Sequence, residues 1–335
     1  MNVPTLAPLR FAPIFQPRLW GGRRLGELFR WALPEGPIGE AWVLSDRDDY
    51  PSRVADGPWQ GWTIRRLLEA HADQLLGRHA ELHRRFPLLL KFLDARDTLS
   101  VQVHPSDAHH EHLPPGERGK TEAWLVLHAD PGSKIYAGVW PDASAAALRA
   151  ALEERTLAQR LPSFAPQPGD GIFLPAGAIH ALGGGLAIFE CQQNSDVTFR
   201  LYDWDRTDAQ TGKPRALHIE QAIACTDFSL GPVGPTAPVV ETNVPVLRES
   251  LFRCAFFHLQ RLTGRQPFRV GAAQECRVLI GLQGQAQLEY QGGLAALGPG
   301  DVLLVPASVG VCNCRPVAPA GQPENVVLLE VALPK

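Results

Sequence analysis

No stretch of this 335-residue chain is apolar for long enough to cross a membrane. Its start, Met1 to Pro8, lacks the charged residue and following apolar core of an export signal. Strong charge of either sign is missing too. A net charge of −3 leaves no broad basic field, which argues against nucleic acid or an anionic membrane as the main partner. Cysteine pairing is lacking as well: among Cys191, Cys225, Cys254, Cys276, Cys312 and Cys314 only the last two are close, and no second pair completes a zinc-ribbon spacing. Reduced, packed thiols are the expectation. Together these absences predict a soluble, cytoplasmic protein.

What is present reads as globular, at 45% hydrophobic and 20% charged residues, and the length points to two domains rather than one. Glycine and proline, 31 and 30 residues, punctuate short apolar runs along the whole chain, a pattern that suits an all-β sandwich or barrel. Two stretches depart from it. Residues 63–76 place Ile64, Leu67, Leu68 and Leu75 near one helical face, and the Ala- and Leu-rich 142–161 segment carries Leu148 and Leu152 at helical spacing. Phe86 to Leu93 is a continuous apolar run, as expected of a strand buried on both sides.

The stretch Thr98 to His104 alternates strictly. Leu99, Val101 and Val103 point one way, and Ser100, Gln102 and His104 the other. A half-buried strand would turn that polar set to solvent, but a barrel can also build two metal ligands from Gln102 and His104, one pleat apart. Glu122, in Gly119-Lys-Thr-Glu-Ala-Trp124, and His180, closing Leu174-Pro-Ala-Gly-Ala-Ile-His180, are the further candidates. Two imidazoles, a carboxylate and an amide carbonyl suit zinc or a similar divalent ion and leave a position for water or substrate. Each histidine alone is more simply a hydrogen-bonded core residue. The three histidines between Pro105 and His112 lie among Ser, Asp, Pro and Gly, and are read as a solvated turn.

An internal repeat sharpens the choice. Pro168 to Ala176 recurs in pattern as Pro299 to Ala307, 131 residues later at both ends, which implies two related β units. Between the copies, Leu230 to Pro238 reads as a linker. His180 aligns with Val311, and Cys276 to Glu289 contains no histidine, so the first copy alone keeps the candidate ligands. Gly183-Gly-Gly185 lacks the Lys-Ser/Thr of a phosphate loop and is read as a hairpin turn. Beyond it, Arg200 shares a strand face with Thr198 and Tyr202. The pattern leaves two readings of Arg200: a cation in the metal's cavity, or a surface partner of Asp203 or Asp205.

Leu88 to Pro105, Gly119 to Trp124, Gly177 to Leu182, and Glu190 to Arg206 with Gly212-Lys-Pro-Arg215 resemble the short bacterial form of type I mannose-6-phosphate isomerase, of the cupin superfamily. Trp20-Gly-Gly22 and Gly39-Glu40 extend the resemblance to the N-terminus. It implies a mainly β fold of two cupin (jelly-roll barrel) domains with a few helices added to the N-terminal one. The expected division is 1–230 catalytic, 231–244 linker and 245–335 metal-free. It also implies one Zn2+ per chain on Gln102, His104, Glu122 and His180, with Arg200 matching a catalytic arginine, Lys120 a lysine of the pocket and Glu190 an acidic residue of proton transfer. The long helical insertion of larger relatives is absent before His180, so lid and phosphate contacts do not carry over. The implied reaction interconverts mannose 6-phosphate and fructose 6-phosphate through a cis-enediol, with Glu190 as first candidate base and Lys120 as second. Two other classes remain open on the residues: an iron-dependent cupin oxygenase, and a sugar-phosphate sensor without turnover.

Overall fold

The structure is a computed structural model that describes residues 5–207, 212–317 and 325–334. It is mainly β. The first barrel combines a six-stranded sheet, in the order Ile14–Gly22, Ile38–Leu44, Leu88–Ala95, Leu186–Gln193, Glu122–Ala129 and Gly171–Leu174, with a five-stranded sheet. The latter runs Phe199–Tyr202, Val101–Val103, His180–Leu182, Ile135–Ala137 and Ser163–Phe164. The second barrel repeats the scheme with a seven-stranded and a four-stranded sheet. Both are the jelly-roll barrels of the cupin fold. Among the described residues no helix is long and apolar enough to cross a membrane.

Helices are few; two regions follow the periodicity, while the short helices Arg24–Phe29 and Ile219–Cys225 were not anticipated by it. Ile64–Leu76 starts at Thr63, whose side chain accepts from the Arg66 amide, and buries Ile64, Leu67, Leu68 and Leu75. The 142–161 segment forms Ala145–Glu153, capped by Ser144, and the short Leu157–Arg160.

Leu88–Ala95 is buried along its whole length because its sheet is covered on both sides. Leu90 and Phe92 pack with Phe189, Leu125, Leu329 and Val331 in a core shared with the second barrel. Leu93 and Ala95 pack inside the first barrel with Trp124 and Ile188. The chain is also tied across the barrels elsewhere: Leu9–Arg10 pairs with Val302–Val305 of the seven-stranded sheet. Within the Pro/Gly-rich 231–244 segment, Val233 N donates to Ala137 O at 3.1 Å and Thr236 N to Gly171 O at 2.8 Å. Val239–Thr242 then pairs as a strand with Leu247–Arg253.

The Gly183–Gly185 run is not a hairpin turn. His180–Leu182 and Leu186–Gln193 belong to different sheets, so the glycines make a corner between them. A Cβ on Gly183 would stand 2.1 Å from Lys134 O, and Gly185 adopts φ +82°, so the corner admits no side chain at either position.

The two copies of the repeat match in register. Glu122 lies opposite Leu174 in the first barrel, and Arg277 opposite Val305 in the second, at the 131-residue offset. By the same correspondence Glu190, opposite Trp124, matches Glu330, opposite Leu279.

Candidate metal centre and active site

Antiparallel pairing sets His180 directly opposite Gln102, and His104 follows the Val101–Val103 strand into the same end of the barrel. Glu122 opens the neighbouring Glu122–Ala129 strand and is fully buried, at 0% exposure. One ligand atom from each of His104, Glu122 and His180 lies within 4.8 Å of the others. His104 Nε2 is 3.5 Å from Glu122 Oε2, and His180 Nε2 is 3.4 Å from Oε1.

Both rings are set in the orientation that a metal ligand needs. His104 Nδ1 donates to Val197 O and His180 Nδ1 to Ala178 O, each at 2.9 Å, which leaves each Nε2 with its lone pair directed at Glu122. Burial, with Lys120 and His180 adding to it, pushes His104 well below the usual imidazole range. Burial also lowers His180 to about 4. Both imidazoles are therefore neutral near pH 7, as ligation requires.

The donor set fits a divalent cation. Both Glu122 oxygens are buried and neither receives an aligned hydrogen bond. A buried carboxylate without donors is costly, and a cation between its oxygens and the two Nε2 atoms would remove that cost. The Lys120 ammonium, 2.9 Å from Oε2 and 3.1 Å from His104 Nε2, compensates only part of it. Gln102 presents its amide nitrogen to His180 Nε2 at 3.1 Å, and half a turn of the amide presents the oxygen instead. The histidines of the 105–112 turn take no part: His109 Nδ1 is bonded to Ser106.

A cavity of about 260 Å³ opens onto this cluster, lined among others by Gln102, Lys120, Glu190, Arg200, Lys91 and Arg215. Glu190 is 3% exposed, and its Oε1 accepts from Trp124 Nε1 at 3.0 Å. Burial, reinforced by Glu122, raises its carboxyl above the usual range. Burial opposes the charge of Lys120, but Glu122 and Glu190 outweigh it, so Lys120 is raised and stays an ammonium. Arg200 makes no ion pair with Asp203 or Asp205. Its Nε donates to Ser100 Oγ at 3.3 Å and Nη1 to Ala216 O at 2.9 Å, while Arg206 and Arg215 occupy Asp203.

The match to known proteins decides the family. Residues 9–115 match the model of the phosphomannose isomerase type I catalytic domain. Over 312 residues the chain is 33% identical to mannose-6-phosphate isomerase ManA of Bacillus subtilis, covering 91% of this chain and 95% of that one. The chain belongs to the type I mannose-6-phosphate isomerase family. A mannose-6-phosphate isomerase of Streptococcus mutans is 39% identical over 219 residues, 64% of this chain and 66% of that one. The crystal structure of a Bacillus subtilis mannose 6-phosphate isomerase superposes with a TM-score of 0.87 at 27% identity, over 98% of this chain and 100% of that one. Phosphomannose isomerase from Salmonella typhimurium, at 19% identity and a TM-score of 0.75, shares the fold.

Within this isomerase-family site, sequence reasoning overlooked several cavity residues. Lys91 is 3% exposed, with its Nζ 3.6 Å from Glu190 Oε2, 3.7 Å from Asp196 Oδ1 and 4.0 Å from Glu40 Oε2. Its signal was in plain view: one lysine inside the otherwise apolar Phe86 to Leu93 run. Glu40 in turn accepts from Arg18 Nε at 3.1 Å and Trp42 Nε1 at 2.6 Å. Arg18 belongs to no motif that composition or spacing would single out, and Arg215 closes the Gly212-Lys-Pro-Arg215 stretch of the resemblance without a role having been read for it.

Proposed function

We propose that the chain interconverts mannose 6-phosphate and fructose 6-phosphate through a cis-enediol, with zinc held by Gln102, His104, Glu122 and His180. The observation that carries this reading is the convergence of two outward-directed Nε2 lone pairs on a buried carboxylate whose one close donor is the Lys120 ammonium, at the wall of the cavity that holds Glu190 and Arg200. Two imidazoles, a carboxylate and an amide oxygen are the ligand types of zinc rather than of the harder oxygen-seeking cations. When bound, zinc would supply an electrophilic centre that orders or polarises the sugar oxygens.

The chain's own residues supply the rest. Glu190 keeps Oε1 on Trp124 while its Oε2 lies 3.6 Å from Lys91 Nζ, so one oxygen is oriented and the other is the one assigned to carry the proton between C2 and C1. Its raised carboxyl is the direction wanted of a group that must both take and return that proton. Lys120, held as an ammonium, donates to oxygen and does not act as the base. Arg200 offers a guanidinium aimed by Ser100 and Ala216 to the negative charge that develops on the enediolate. Arg18, Lys91 and Arg215 add positive charge around the cavity, which suits a substrate that carries a phosphate.

Elemental analysis of purified protein, followed by a coupled assay with mannose 6-phosphate, tests the reading. The expected result is one zinc per chain and steady turnover that a chelator abolishes and added zinc restores. Metal-replete protein without turnover on mannose 6-phosphate would overturn it.

A further inference from the structure

A second cleft, of about 340 Å³, shares no lining residue with the cavity described above. It lies between the loop that leads into Leu88–Ala95, the 105–119 turns, and Ala255, Phe256 and Pro334 of the second barrel. Its volume is within the range of small-molecule sites.

Four guanidiniums line it, and their partners are unequal. Arg47 is engaged by both oxygens of Glu117, and Arg85 by Asp48 at 3.1 Å. Asp107 is the one carboxylate of the lining, and it is already taken: Gly119 N donates to it at 2.8 Å and Gln193 Nε2 at 3.0 Å. Arg84 and Arg118 have no ion pair or hydrogen bond from their side chains to any described residue. Their charge is therefore uncompensated in a concave site whose acidic groups are consumed. Arginine presents paired donors matched to phosphate oxygens.

The cleft asks for more than an anion. Asn194 is 8% exposed; its Nδ2 is spent on Asp46 O at 3.3 Å, and its buried Oδ1 receives no donor. That oxygen is closed to solvent, so the cleft's further selectivity rests on apolar surface. Half-buried Phe256 and Leu82, at 70% exposure, add apolar surface to the same cleft.

We infer that this cleft binds a small phosphorylated metabolite of the nucleotide class, with its phosphate on Arg84 and Arg118 and its flat apolar part against Phe256. Nothing in this assignment draws on the isomerase cavity, so it stands or falls apart from the reaction proposed above.

Calorimetric titration of the metal-loaded enzyme with adenosine 5′-monophosphate tests it on wild type, R84Q/R118Q and R200A. One saturable site per chain is expected, undisturbed in R200A and weakened roughly tenfold or more in R84Q/R118Q, the scale of losing charge-assisted hydrogen bonds. The double variant should keep its circular dichroism and its turnover of mannose 6-phosphate, since both arginines are exposed and neither lines the isomerase cavity. Phe256→Ala should weaken the nucleotide but not inorganic phosphate. Absence of saturation at millimolar nucleotide, or a loss of binding that follows R200A rather than R84Q/R118Q, would overturn the assignment.

Discussion

His180 and Gln102 face each other across an antiparallel ladder, with 3.1 Å between the amide nitrogen of one and Nε2 of the other. The pairing makes the geometry of one proposed ligand depend on the strand that carries the other. His180→Ala, like His104→Ala, should therefore remove bound metal and turnover together, measured on the same preparation. Glu122→Gln should weaken both, because a neutral amide gives less charge to the ion. Full metal content in His180→Ala would take that residue out of the ligand set.

Arg200→Ala should leave folding and metal content intact and lower turnover by roughly two to three orders of magnitude, the usual loss when an oxyanion donor is removed. Because the side chain is bonded to Ser100 and a backbone carbonyl rather than to a carboxylate, its removal strands no buried charge. A fall in kcat with kcat/KM would indicate enediolate stabilisation, and a rise in KM alone would indicate substrate anchoring. Lysine should rescue poorly, lacking the planar fork of donors. Near wild-type kinetics would remove Arg200 from the chemistry.

Asp203 accepts from both Arg206 and Arg215, and the second contact holds the chain next to Ala216, whose carbonyl accepts from Arg200. Burial works against its charge, but the two arginines outweigh burial and hold its carboxyl below the usual value. A carboxyl lowered on folding adds stability above its unfolded value, near 3.9, that is lost as pH falls through the folded value. Asp203→Asn should thus cost roughly 1.5–3 kcal/mol in denaturant titrations at neutral pH. The gap from wild type should close in acid below that point, and a gap independent of pH would exclude the ion-pair account.

One metal per chain is the expected stoichiometry, since the positions of His180 and Glu122 are taken in the second barrel by Val311 and Arg277. Elemental analysis of chain saturated with zinc and then desalted is the measurement, and a ratio near two would contradict it.

The parts of the site that follow a period were legible. Alternation from Thr98 to His104 puts Gln102 and His104 on one face, and the repeat at a 131-residue offset reappears as two matched ladders. The roles of Lys91 and Glu40 were not, because a sheet covered on both faces loses the alternation that tells inside from outside, and Arg215 lies in a connection that has no period at all. The glycine corner was misread for a related reason. Glycine announces a sharp turn but not which sheet the next strand will join, and that is settled by contacts such as Gly183 against Lys134, far away in sequence. Ion pairing behaves alike: the nearest carboxylate along the chain from Arg200 is Asp203, yet two other arginines reach it first.

Arg277 gives the second barrel an electrostatic character opposite to that of the first. Its guanidinium, 3.4 Å from Glu330, stands where the first barrel has the carboxylate of Glu122. A histidine placed at Val311 would still meet a fixed positive charge that repels any incoming ion. To hold a cation, the copy would have to lose Arg277, which would leave Glu330 with Arg248, at 3.7 Å, as its one cationic partner among the described residues, beside the Gly271 amide. Each single change is unfavourable before any ligand is gained. One register position thus carries opposite charge in the two barrels, a carboxylate open to a cation in the first and a guanidinium that excludes one in the second.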